Sequence, residues 1–142
     1  MSNPVVNASK LIGTYRLRSF ELSLDGGEFQ SVYGDAPRGF LIITPQRMMA
    51  VLSAERRSAG KTQEAKAALW DTMIAYSGAY TLDATTLTTR VDAGWDEAWI
   101  GTDQVRFWTL DGATLTLRTV PTLDPRGSGK TATGSLVWTK IE

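Results

Sequence analysis

The chain has 142 residues, 42% hydrophobic and 21% charged, the size and balance of one globular domain with one core. Fifteen Lys and Arg offset fifteen Asp and Glu, which leaves no basic excess for nucleic-acid phosphates or an anionic membrane surface. There is no Cys and no His, which excludes thiol nucleophiles, disulfides, zinc–thiolate sites, His-dependent triads and haem ligation by either residue.

Residues 1–10 are polar and lack the apolar core of a signal peptide, so a cytoplasmic protein is expected. Residues 1–9 are expected to be loose, within a single domain 1–142 that is ordered from about residue 10. The longest apolar run, near residues 40–43, is far too short to span a membrane as a helix.

Eight segments rich in β-branched and aromatic residues follow: 14–22, 39–44, 48–53, 76–82, 86–92, 104–110, 114–120 and 134–141. Turn signals separate them, among them Asp25-Gly26-Gly27, Thr44-Pro45, Asp83-Ala84, Asp111-Gly112 and Asp124-Pro125-Arg126-Gly127. Short strands at this spacing predict an all-β sandwich or barrel. Asp111-Gly112 predicts a tight hairpin, and the 124–130 loop is expected to be mobile. Lys61 to Trp70 breaks the pattern with Ala, Lys, Glu and Gln. It predicts one short helix between the third and fourth strands, capped by Thr62, as a plug or a lid for the barrel end.

Leu11-Ile12-Gly13-Thr14-Tyr15-Arg16-Leu17 resembles the Gly-x-Trp opening of lipocalins, with Tyr15 in the Trp place. The order of further pieces resembles the bacterial and fungal lipocalin-like domain family. They are Tyr33-Gly34-x-x-Pro37-x-Gly39, Ala75-Tyr76-Ser77-Gly78-Ala79-Tyr80, Trp99-Ile100-Gly101-Thr102-Asp103-Gln104-Val105-Arg106 and Leu136-Val137-Trp138. The resemblance runs from about Leu11 to Lys140 and implies an eight-stranded antiparallel up-and-down β-barrel with an internal cavity. Where family members often carry His on the fifth strand, this chain reads Thr88-Thr89-Arg90. In lipocalins a basic residue of the last strand stacks over the first-strand ring, a place that Lys140 fills here.

Strand alternation converts this fold into candidate cavity residues. With Tyr15 inward, Leu17, Ser19 and Glu21 follow, and Arg16, Arg18 and Phe20 point out. Leu117, Leu136 and Trp138 are expected inward. On the sixth strand both Val105-x-Phe107 and Arg106-x-Trp108 faces are apolar, and the sequence leaves the parity open. An inward Arg106 needs a carboxylate partner, for which Glu21 is the candidate, or an anionic ligand. Tyr76 and Tyr80 share a face, either as core packing or as phenols lining a pocket; Tyr33 reads as rim packing. Gly94-Trp95-Asp96-Glu97-Ala98-Trp99 sets two carboxylates between two indoles, either closing the barrel end or forming a flap whose Asp96 or Glu97 acts as a base. Phe20, Trp108 and the outer side of residues 40–43 are candidates for a homodimer interface.

Three functions follow. The first is a binding module for a small hydrophobic or aromatic molecule, with Tyr15, Ser19, Tyr33, Tyr76, Tyr80, Trp99, Leu117 and Trp138 around it. The second is a cofactor-independent isomerase, cyclase or lyase, with Glu21, Tyr76 and Arg106 as its acid–base and charge groups. The third is a structural barrel filled by side chains. No cofactor, metal site, nucleic acid or membrane partner is expected.

Overall fold

A computed structural model describes residues 8–124 and 126–142. Eight long strands build the barrel: β1 (Gly13–Leu24), β3 (Arg38–Ile43), β4 (Arg47–Ser53), β5 (Met73–Leu82), β6 (Thr86–Gly94), β7 (Asp103–Asp111), β8 (Thr114–Thr119) and β10 (Thr131–Lys140). Each pairs antiparallel with the next, and β1 pairs with β10 to close the sheet. Closure leaves these strands without a free edge. Two short additions, β2 (Phe29–Ser31) on β1 and β9 (Thr122–Leu123) on β10, extend the same end of the barrel. The fold is the closed antiparallel barrel that the resemblance implies, and its eight long strands are those read from the sequence.

The closed end is built from the start of β1. A single turn of 3₁₀ helix, Ala8–Lys10, leads into Leu11 and Tyr15, both fully buried. The Tyr15 hydroxyl donates to the Leu11 carbonyl at 2.8 Å, so the one polar atom on this ring is satisfied inside the core. Gly13 lets the chain ends meet here. Its φ is +151°, and a Cβ would lie 2.5 Å from the Glu142 carbonyl oxygen and 2.6 Å from Cε of Lys140. The Lys140 stem thus runs past Gly13. Stacking of Lys140 on Tyr15 is not seen; the cation–ring contacts among the described residues are Arg16 on Phe40 and Arg118 on Phe29. The expectation that residues 1–9 are loose falls mostly on residues outside the described set.

Turn chemistry fixes register at both ends. Asp25 and Gly26, with φ of +50° and +75°, make the tight turn after β1. In the β7–β8 hairpin Asp111 pairs with Thr114 and stays in the strand, so Gly112 alone takes the positive φ, at +59°. The expected Asp-Gly turn is therefore a Gly112-Ala113 turn.

The helix, α1 (Gln63–Asp71), is capped by Thr62, whose hydroxyl accepts from the Ala65 N–H. It lies between β4 and β5, the third and fourth of the long strands. None of its residues is buried. The strand β5 begins at Met73, directly after the helix cap Thr72. The 124–130 loop is fastened by Asp124, whose buried carboxylate accepts from the Arg126 backbone N–H and Nε.

On the outer wall Phe40, Ile42, Met49 and Val51 form an exposed apolar stripe of paired neighbours, Phe40 opposite Val51 and Ile42 opposite Met49. Phe20 and Trp108, expected on this outer patch, turn inward into the core. Among the described residues no helix is long and apolar enough to cross a membrane.

Candidate functional site

A cavity of about 370 Å³ lies inside the barrel, and Tyr15 is not among its lining residues. Its inner wall is apolar: Leu41, Met48 and Leu52 from β3 and β4, Leu117 from β8, and Leu136 and Trp138 from β10. Small side chains create the space. Ala50, Ala132 and Gly134 face it where a larger residue would fill it.

The largest departure from simple alternation is in β1. Leu17 pairs with Trp138 and Ser19 with Val137, so Arg18 is an extra residue in the ladder. This bulge shifts the phase by one. Tyr15 and Leu17 face inward before it, and Phe20 and Leu22 line the cavity after it. Glu21 therefore lies on the opposite face, paired with Ser31 and Ser135, and does not reach the cavity. The inward placement of Ser19 and Glu21 is corrected accordingly. The phase change was visible in the sequence, where Tyr15-x-Leu17 passes to Phe20-x-Leu22.

β7 is resolved by its neighbours. Trp108 and Leu110 pack against the core, Phe107 is 46% exposed, and Arg106 shares the inward face and lines the cavity. Trp108 anchors that parity by donating its indole N–H to the Asp83 carbonyl at 3.0 Å. Arg106 has no ion pair among the described residues. It donates to the Val105 carbonyl at 3.0 Å and, weakly, to Gln104 Oε1 at 3.4 Å. Glu21 is not its partner.

The aromatic residues separate into wall and support. Tyr76, Trp99, Leu117 and Trp138 of the expected ligand set line the cavity. Tyr76 packs on Trp99 at 5.2 Å between centroids, and Trp95 packs edge-on to Trp99 at 5.0 Å. Tyr33 sits behind the wall, edge-on to Phe20 at 5.0 Å, and burial pushes its hydroxyl up to about 12. Tyr15 belongs to the closed end. Tyr80 is drawn away from Tyr76 by a hydrogen bond from its hydroxyl to the Thr44 carbonyl at 2.7 Å, and burial also raises its pKa. Asp96 accepts from the Ala98 N–H as the cap of the one-turn helix Glu97–Trp99, and Glu97 is exposed.

The polar groups on the wall are unequally engaged. Asp103, its one acidic residue, pairs with Arg90 at 2.9 Å. Thr119 Oγ1 accepts from the Gly134 N–H at 2.7 Å. By contrast the Trp138 indole N–H is buried with no acceptor, and the Tyr76 hydroxyl has no hydrogen bond among the described residues. Among the described residues Arg106 and the Tyr76 hydroxyl keep donor capacity on this wall, whereas the Trp138 N–H is sealed from the cavity as well as unpaired.

Residues that sequence reasoning missed are Phe20 and Leu22, displaced by the bulge, and the small residues Ala50, Ala132 and Gly134. Composition draws attention to large side chains, whereas a cavity is made by small ones.

Comparison with curated proteins gives no match. A family profile described as the lipocalin-like domain matches residues 12–141, nearly the whole barrel. With that match and the closed eight-stranded architecture, the chain belongs to the lipocalin-like domain family.

Proposed function

We propose that the protein binds a small, largely apolar molecule inside its barrel. The observation that carries this reading is the cavity itself. Its volume of about 370 Å³ is within the range of small-molecule sites, and its wall is mainly aliphatic and aromatic. A barrel filled by its own side chains would leave no such space, because protein interiors close-pack.

A catalytic use of the same cavity has one observation in its favour, the unengaged Tyr76 hydroxyl on the wall. Acid–base chemistry also needs a group that gives up and takes protons near neutral pH. The Arg106 guanidinium only donates hydrogen bonds, Glu21 faces away, and Asp103 is held by Arg90. Binding is therefore the reading that the wall supports best.

The test is titration with N-phenyl-1-naphthylamine, a neutral apolar fluorophore, with excitation through tryptophan. Trp99 and Trp138 line the cavity and are the donors for energy transfer. Saturable one-to-one binding is expected, weakened at least about tenfold by the cavity-filling pair Ala50→Leu and Ala132→Leu. No saturable uptake, or equal uptake by a folded filled variant, overturns the proposal.

A further inference from the structure

We infer that the ligand is an anion: an apolar acid whose single carboxylate is received by Arg106. The inference rests on the binding role proposed above and specifies the chemical class of what is bound.

Arg106 stands on the wall of a mainly apolar cavity, partly buried and, among the described residues, without an acidic partner. Its guanidinium has five N–H donors, of which two find an acceptor among the described residues. One of these bonds goes to the carbonyl of its own neighbour Val105, and the other is long. Partial removal of a cation from water is costly unless an opposite charge replaces the lost hydration. The fold offers Arg106 two routes away from this cost. On the outward face of β7 it would be solvated, and a cavity-facing Asp or Glu would neutralise it. Neither is used. Trp108 and Leu110, packed inward, hold β7 in the phase that keeps Arg106 on the cavity.

The remaining polar groups agree. Tyr76 brings a further hydroxyl donor to the wall, while Asp103 and Thr119 are already engaged. A ligand complementary to Arg106 brings acceptors. A planar carboxylate matches the guanidinium fork with two parallel hydrogen bonds. A phosphate dianion is a poorer match, since its second negative charge exceeds the single charge of Arg106. The rest of the ligand is apolar, to fit Phe20, Leu117 and Leu136.

The experiment compares 2-naphthoate with 2-naphthamide, matched in shape and differing in charge, as competitors of N-phenyl-1-naphthylamine at neutral pH. In the native protein 2-naphthoate should bind at least about tenfold more tightly than the amide. Arg106→Gln should abolish that preference while still binding the neutral fluorophore, and Arg106→Lys should keep part of it. The preference should persist at high salt, because a partly buried charge is weakly screened. If the fluorophore binds but the two competitors are equal, or if Arg106→Gln retains the preference, the anion inference is wrong and the binding role stands. If neither the fluorophore nor either naphthalene binds, the binding role itself fails. Should Arg106→Gln not fold, Arg106→Met provides the same comparison with the aliphatic stem kept.

Discussion

Trp70 and Trp95 exchange hydrogen bonds: each indole N–H donates to the other residue's backbone carbonyl, both at 3.3 Å. Their rings lie 5.6 Å apart, and Trp95 in turn packs on Trp99 of the cavity wall. This clasp joins α1, which has no buried residue, to the turn that bears Trp99. Arg57 adds a second tie, donating to the Leu69 carbonyl at 2.6 Å and to Thr72 Oγ1 at 3.1 Å. Helix and turn are thus held at the cavity end by a few polar contacts rather than by a buried apolar face.

The clasp predicts a local effect. Trp70→Ala removes the indole donor to the Trp95 carbonyl and a half-exposed ring, leaving only the Trp70 backbone carbonyl for Trp95, and should lower global stability by only about 1 kcal/mol. Amide exchange across residues 63–71 and 95–100 should accelerate, while the barrel strands stay protected. Hydrogen-exchange mass spectrometry measures both. Uniform acceleration throughout the barrel would show that the clasp supports the whole fold.

At the closed end, Tyr15→Phe should destabilise the protein by about 1–2 kcal/mol in urea unfolding. The loss comes from a buried hydrogen bond and from the Leu11 carbonyl left without its donor. Cavity binding should be unchanged, since Tyr15 does not line the cavity.

Gly78 should tolerate no side chain. It faces a bulge in β6, where Ser77 pairs with Ala93 and Gly78 with Val91. A Cβ there would sit 1.9 Å from the Arg90 carbonyl oxygen. Backbone must move to admit it, so Gly78→Ala should cost about 2–3 kcal/mol or more in thermal or urea unfolding.

Stability should fall at both extremes of pH. Asp83 is held below the usual carboxylate range, chiefly by the Thr85 and Thr86 backbone N–H groups; Asp92 by hydrogen bonding to Arg47; and Asp124 by the Arg126 N–H. A depressed native pKa means that the stability is present above the unfolded value, about 3.9, and is lost as pH drops through the folded one. Asp83→Asn should flatten the acid limb of a plot of Tm against pH. Tyr33 acts in the opposite sense. Burial pushes it up to about 12, against a smaller downward pull from Arg57, so its contribution is present below about pH 10 and is lost as pH rises through 12. Tyrosinate absorbance should show late-titrating tyrosines, and Tyr33→Phe should remove the component near 12.

Much of the barrel was legible because its signals are local. Strand alternation and turn residues marked the eight long strands, and Thr62 marked the helix start. The cavity was legible where alternation runs unbroken, as at Leu117, Leu136 and Trp138. It was misread where one residue changed the phase: the bulge at Arg18 turned Phe20 in and Glu21 away. Arg106 was a different case. Both faces of β7 are apolar, so only tertiary contacts fix its direction, above all the bond from the Trp108 indole to the Asp83 carbonyl. The Lys140 stack failed because Gly13 brings the Lys140 stem across the backbone instead.

Two apolar surfaces compete for any hydrophobic probe, the cavity and the outer stripe of Phe40, Ile42, Met49 and Val51. Methyl-resolved NMR during titration with N-phenyl-1-naphthylamine separates them directly. Shifts should concentrate on Leu41, Leu52, Ile74, Leu117 and Leu136, which line the cavity. Shifts confined to Ile42, Met49 and Val51, or none at saturating probe, would contradict binding inside the barrel.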